Sequence, residues 1–326
     1  MRVYKIVSFS VVILLISVFF AGAVIVPAAA QYDTQYQYNA AHTGDYSPVA
    51  GSTPPNNVQK WSFATGDLVE SSPAVSNGVV FVGSYDSNVY ALNATTGAKV
   101  WNYTTLGEVY SSPAVLKGVV YVGSYDNNVY ALNATTGAKV WNYTTGGLVE
   151  SSPAVSNGVV FVGSYDSNVY ALNATTGAKV WNYTTGGHVL SSPAVVNGTL
   201  YVGSSDNNLY ALNASNGAKL WSFATGFTVY SSPAVANGVV YVGSDDSNVY
   251  ALNASNGAKL WSFATAAGVE SSPAVVNGTV YVGSEDSNVY AIGNGAAATS
   301  HGIPGFDVTL ALVGLIIIAY ALKRKR

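Results

Sequence analysis

Six tryptophans fall at positions 61, 101, 141, 181, 221 and 261, a spacing of 40 residues every time. The tract Ser-Ser-Pro-Ala-Val recurs on the same period, starting at Ser71, Ser111, Ser151, Ser191, Ser231 and Ser271. A period of that length built from strand-like runs marks a radial β-repeat. Repeats supply a scaffold, so a site is sought at the positions where near-identical copies differ.

One copy shows the strands. Runs 72–75, 79–84, 89–93 and 99–104 carry the β-branched and aromatic residues, and turn signals separate them. Asn77-Gly78 is a type I′ hairpin signal, because both turn residues need positive φ. It recurs at 157, 197, 237 and 277, and once becomes Lys117-Gly118. Asp86-Ser87-Asn88 and Thr95-Thr96-Gly97 mark the next two turns. The expectation is an all-β fold, a six-bladed β-propeller of four-stranded antiparallel blades. The first tryptophan strand precedes any blade, and the last blade has no fourth strand after it. Pairing 58–65 with that last blade would close the ring and leave no open edge. Strand alternation then places the fourth-to-first loops and second-to-third turns on one face, the top. The other turns lie at the bottom.

The repeat resembles the pyrroloquinoline-quinone (PQQ) propeller repeat over nearly all of 58–293. The residues that carry the likeness are Ala91-Leu92-Asn93-Ala94-Thr95-Thr96-Gly97-Ala98-Lys99-Val100-Trp101, with Ser-Pro-Ala upstream. The family pattern has Asp where Asn93 stands, and its Lys comes one place earlier. His42-Thr43-Gly44-Asp45-Tyr46-Ser47 resembles the lead-in that often precedes such propellers, with one residue inserted. The resemblance implies that each tryptophan docks between neighbouring blades. Quinoprotein dehydrogenases sharing this repeat use eight blades, a vicinal disulfide, Ca²⁺ and a catalytic Asp. This chain has six repeats and no cysteine. The likeness therefore implies the fold and not the enzyme, and no cofactor is expected. The chain looks closer to non-catalytic members that serve as protein-binding scaffolds in envelope assembly.

Both termini read as targeting segments. Residues 1–30 have a basic start at Arg2 and Lys5, an apolar run and an Ala28-Ala29-Ala30 cleavage site, as in a secretory signal. The run is long, so an uncleaved anchor is the alternative. Residues 31–57 form a lead-in, and 294–303 a linker. In 304–326, Pro304-Gly305-Phe306, an apolar stretch and Lys323-Arg324-Lys325-Arg326 resemble the PGF-type C-terminal sorting signal of archaeal surface proteins. That resemblance implies cutting by an archaeosortase and lipid attachment, and a plain transmembrane anchor is the alternative. The 15 residues of 308–322 would make a helix of about 22 Å, short for a bilayer core of about 30 Å. Either reading expects an extracellular protein anchored to the cell membrane.

The copies differ mainly on the top. Before Ser-Ser-Pro stand Glu70, Tyr110, Glu150, Leu190, Tyr230 and Glu270. Two positions earlier, Glu108 and His188 replace apolar or small residues, and Phe227 varies beside them. Before the turn aspartate stand Tyr85, Tyr125, Tyr165, Ser205, Asp245 and Glu285. Drift at exposed loops explains such variation without a ligand, and a binding surface explains it equally. Residues 31–303 carry fifteen acids and seven lysines, a net charge of −8, with thirteen acids on the expected top and every lysine at the bottom. An acidic face suits cations or basic partners and disfavours nucleic acid. Turn chemistry accounts for Asp86 and its equivalents. It leaves Glu70, Glu150 and Glu270, where Ca²⁺ is a candidate because hard cations take carboxylate oxygens. No compact ligand loop is visible.

Ten N-x-Ser/Thr sequons occur, at Asn93, Asn102, Asn133, Asn142, Asn173, Asn182, Asn197, Asn213, Asn253 and Asn277, and none is on the top. Each is a candidate glycan acceptor on a secreted protein, or simply a turn asparagine copied by repetition. No serine sits in a Gly-x-Ser-x-Gly elbow, and the histidines are isolated in sequence. Gly293-Asn294-Gly295 follows the last strand and opens no βαβ unit, so it reads as linker. The expectation is a non-enzymatic scaffold for a surface protein or glycan. An oxidoreductase using PQQ and Ca²⁺, or a passive envelope component, are the other readings.

Overall fold

A computed structural model describes residues 58–293. The signal, lead-in, linker and anchor readings fall outside the described residues. Within them the chain forms six sheets that follow each other along the sequence, five four-stranded and the last three-stranded. In the first blade, β1 (Ala74–Ser76), β2 (Val79–Gly83), β3 (Asn88–Asn93) and β4 (Lys99–Thr104) pair as an antiparallel meander.

Local chemistry sets the strand ends. The first strand is shorter than expected, beginning at Ala74, because Pro73 has no N–H to give to a ladder. Asn77 and Gly78 take φ of 49° and 75°, the positive pair a type I′ turn requires. Lys117 is forced to φ 50° at the same place in the second blade. The register between β3 and β4 shifts at Ala91/Leu92, a bulge repeated in the next four blades.

The core lies between blades. Ala74, Phe81, Val89, Ala91 and Trp101 of the first blade pack with Val115, Val120, Val122, Tyr130 and Leu132 of the second. Alternate β3 residues face opposite neighbours, so Tyr90 and Leu92 pack the other way, against Trp61 and Phe63. Both faces are therefore dry, and the strand reads as a continuous apolar run. Each tryptophan docks on the following blade, as the resemblance implies. The Trp101 indole N–H donates to Ala134 O at 3.0 Å, and its ring covers Gly137, where a side chain would collide with it. The Ser-Ser-Pro tract forms a circumferential belt. Ser111 Oγ accepts from Gly123 N at 3.0 Å in its own blade and donates to Ser151 O at 3.2 Å in the next. Ser112 N donates to Ser152 Oγ at 2.9 Å.

The expected closure is not formed. Residues 58–65 contain no strand, and the sheet of Ala274–Val276, Thr279–Gly283 and Val289–Ile292 ends without a fourth member. The segment achieves only half of its expected role, docking on the first blade with the Trp61 indole N–H on Ala94 O at 3.0 Å. Gly83, Gly123, Gly163, Gly203 and Gly243 each face a valine of the following blade, whereas among the described residues Gly283 meets only Ser271 of its own. Val69 is 48% exposed although its five equivalents are fully buried, and Val289 is 80% exposed where Val89 is fully buried. Five equal blade-to-blade steps thus leave the first and last blades apart, with an open seam between them.

Candidate binding face

The top begins with its six turn aspartates, which prove structural. Asp126 Oδ1 accepts from Asn128 N at 3.0 Å, and Oδ2 accepts from Tyr130 OH at 2.6 Å and Leu106 N at 2.9 Å. Leu106 belongs to the loop arriving from the previous blade, so each aspartate fastens one blade to the next. The same contacts recur at Asp86, Asp166, Asp206, Asp246 and Asp286. Burial opposes the charge of Asp86, Asp126 and Asp166, but the phenol and amide hydrogen bonds outweigh it and hold these carboxyls below their ordinary value. At half-buried Asp286 the Tyr290 hydrogen bond leads, and the carboxyl falls to about 2. Turn chemistry accounts for these residues.

The variable residues divide into two groups. On the first three blades the tyrosines form a continuous arc. Tyr85 and Tyr110 have ring centroids 4.0 Å apart, Tyr110 and Tyr125 stack at 4.3 Å, and Tyr125 meets Tyr165 edge-on at 6.4 Å. His188 extends the arc, 5.1 Å from the Tyr165 ring and hydrogen-bonded through Nδ1 to Tyr165 O. Glu150 sits inside it, accepting from Tyr125 OH at 2.6 Å and Tyr165 OH at 2.8 Å through one oxygen, Oε2. Burial first, then hydrogen bonding with Glu70 and Tyr110, raises the Tyr85 phenol from its ordinary value. Burial first, then Glu150, pushes the Tyr165 phenol up to about 12. These half-buried rings are held by carboxylates, not left loose on a loop.

Acids dominate the other side. Thr228 Oγ1 donates to Asp245 Oδ2, while the buried Asp245 Oδ1 has no hydrogen-bond partner. Glu285 Oε2 lies over Gly268. The Glu270 carboxyl is raised from its ordinary value, first by burial and then by the charges of Asp245, Glu285 and Glu150. Acids from three blades therefore share one field. Among the described residues no lysine answers them with an ion pair, since all seven lie at or near the bottom turns.

Three sequence candidates stand outside these groups. Phe227 is 56% exposed, neither it nor half-buried Tyr230 enters a ring contact among the described residues, and Glu108 serves through its carbonyl, which accepts from Tyr125 N at 2.9 Å. The candidate Ca²⁺ set is also not assembled. Glu70 and Glu150 are engaged by tyrosines, and no group of three ligating residues able to hold a metal occurs among the described residues.

Sequence reasoning missed the bottom cavities. One of about 680 Å³ is lined by Asn197, Tyr201, Leu220, Asn237 and Asn253, and another of about 460 Å³ by Asn157, Phe161, Asn197 and Asn213. The second is the first moved back by one 40-residue repeat. Their signal was the constancy of the bottom turns, which reads as scaffold.

Comparison with known proteins bears on both the fold and the ends. A family model described as outer membrane protein assembly factor BamB matches residues 49–152, 145–228 and 224–300. The PGF-CTERM motif matches residues 303–325. Among solved structures, BamB from Moraxella catarrhalis is similar at 22% identity and a TM-score of 0.63, covering 72% of this chain and 76% of that one. The computationally designed Ika8 protein is similar at 17% identity and a TM-score of 0.63, covering 69% and 70%. The quinohemoprotein alcohol dehydrogenase from Comamonas testosteroni is similar at 21% identity and a TM-score of 0.62, covering 73% of this chain but 50% of that one. At these identities the likeness shows the fold. No curated protein sequence matches the chain.

Proposed function

The chain belongs to the family of the outer membrane protein assembly factor BamB and carries a PGF-CTERM motif, and from that premise we propose a non-enzymatic, cell-surface binding scaffold. Its partner is a basic protein segment or a glycan, recognised on the acidic top face. The observation that carries this reading is the divided top. A tyrosine arc braced by Glu70 and Glu150 lies beside the unneutralised acids Asp245, Glu270 and Glu285. Flat aromatic area with a polar rim is what a binding surface presents. The seven lysines of the described residues lie at or near the bottom turns, so a cationic partner gains most from docking at the top.

The PGF-CTERM motif points to an extracellular protein held at the cell surface. The last strand, Val289–Ile292, runs towards the bottom, so the described residues end on that side. The top would then face away from the membrane. Lipid attachment after cutting of the motif is the finer form of this reading.

The test is co-purification from cell envelopes of tagged wild-type protein and of a Glu70→Gln/Glu150→Gln/Glu270→Gln variant. A partner retained by the first and lost by the second is expected, and equal recovery would remove the top face from the function. The likeness to quinohemoprotein dehydrogenases favours one rival reading, an oxidoreductase. Dye-linked alcohol oxidation by purified protein supplied with PQQ and Ca²⁺ would establish it.

A further inference from the structure

We propose that this protein carries its glycans at Asn197 and Asn277, and that the fold silences the sequons at Asn102, Asn142 and Asn182. The inference rests on the extracellular placement above. In sequence all ten sequons are equal acceptors. In the structure they fall into three environments that differ in what holds the side-chain amide, the group to be modified.

The three strand sequons are locked on both of their reacting groups. Asn142 Nδ2 donates to Asn128 Oδ1 at 3.0 Å. Thr144, the hydroxyl member of the same sequon, donates to that same oxygen at 2.7 Å. The arrangement repeats with Asn102 and Thr104 on Asn88, at 2.9 and 2.6 Å, and with Asn182 and Thr184 on Asn168, at 3.0 and 2.6 Å. Transfer to Nδ2 needs the amide and the sequon hydroxyl presented together to the transferase, and here both are engaged on a neighbouring side chain along a blade's outer strand.

The five sequons of the third-to-fourth turns are held by the other amide atom. Asn93 Oδ1 accepts from Thr95 N and Thr96 N at 2.9 Å each, and Asn213 Oδ1 accepts from Ser215 N at 2.9 Å and Ser215 Oγ at 2.6 Å. These asparagines are half-buried, and their amides cannot rotate without undoing the turn.

Asn197 and Asn277 differ from both. Each is exposed at the tip of a two-residue hairpin, at φ 50° and 49°, and its side chain makes no hydrogen bond among the described residues. Only these two hairpin tips combine that geometry with a threonine two residues on, at Thr199 and Thr279. The other tips read Asn77-Gly78-Val79, Lys117-Gly118-Val119, Asn157-Gly158-Val159 and Asn237-Gly238-Val239. Asn197 also lines both bottom cavities, so its glycan would cover that part of the bottom.

The transfer needs a polyprenyl-phosphate-linked or polyprenyl-pyrophosphate-linked oligosaccharide and its transferase. The N–C bond forms between Nδ2 and the anomeric carbon, and the anomeric C–O bond to phosphate breaks. The lipid phosphate leaves with that electron pair, and Nδ2 gives up one proton to a base of the transferase.

Site-localised mass spectrometry of the full chain purified from its native envelope tests the assignment. Glycopeptides at Asn197 and Asn277 with unmodified Asn102, Asn142 and Asn182 are expected. Modified strand sequons would overturn it, since modification would then precede folding. The variants Asn128→Ala and Asn168→Ala separate locking by the fold from transferase preference. The first should make Asn142 a new acceptor and the second Asn182, each leaving Asn102 bare. With either variant folded by circular dichroism, a freed asparagine that stays bare would overturn the locking. Bare hairpin tips on a protein that protease shaves from intact cells would overturn the inference alone. Bare tips on a protein beyond the protease's reach would overturn the placement and the inference with it.

Discussion

A turn aspartate in this chain does two jobs with one carboxylate. Asp126 shapes its own turn through Asn128 and holds the incoming loop through Leu106, with Tyr130 OH as a third donor at 2.6 Å. Hydrogen bonds to a charged group are worth about 1.5–3 kcal/mol each, so Tyr130→Phe should lower stability by that order. The depressed carboxyls of Asp86, Asp126 and Asp166, with Asp286 at about 2, give the pH dependence its sign. Their contribution is complete above the unfolded aspartate value of about 3.9 and is lost as pH falls through the folded values. Thermal melts between pH 5 and about 2 should show a falling midpoint, with a shallower fall for Tyr130→Phe. A midpoint that is flat with pH would contradict the role given to these aspartates. The turn itself was legible, because Asp and Asn announce it. Its partners were not. Leu106 comes from a neighbouring blade, and a tyrosine four residues on reads only as a strand residue.

At the scale of elements, the repeat sets a rule and its exceptions show what the rule costs. Lys117 holds a left-handed turn position that Asn holds in every other blade, and its φ of 50° matches theirs. Asn tolerates that region better, so Lys117→Asn should stabilise the protein by about 0.5–1 kcal/mol in denaturant unfolding. The tryptophans join blades, and Trp141 donates to Ala174 O at 3.0 Å while covering Gly177. Trp141→Ala should cost about 3–5 kcal/mol by the same measurement, through the cavity left between two sheets. Strand number could be read from the repeat and turn type from its Asn-Gly pairs, while the docking of the tryptophan was implied by the family resemblance. The Ser-Ser-Pro tract could not, because it reads as the start of a strand. Its hydroxyls and amides instead bond sideways to the next blade, a direction that periodicity along the chain does not encode.

At the scale of the whole molecule, the seam and the polarity matter most. The simplest closure had the first tryptophan segment complete the last blade, but docking and pairing are separate interactions and only docking is made among the described residues. Because the chain has no cysteine, a Val69→Cys/Gly283→Cys variant reports on the seam directly. In a closed ring these positions would meet as Val109 meets Gly83, so the open seam predicts that both thiols stay free in the monomer. A disulfide within one chain would show that the ends come together. The polarity was legible as charge, with acids on one face and lysines on the other. The tyrosine arc was legible only as separate variable positions, since stacking across three blades depends on how the blades turn. The acidic top is the face proposed to bind the partner. Carboxyl-reactive cross-linking on intact cells, read by mass spectrometry, tests it most directly. A dominant partner linked through Glu70, Glu150, Glu270 or Asp245 is expected, whereas links confined to bottom residues would rule the top face out.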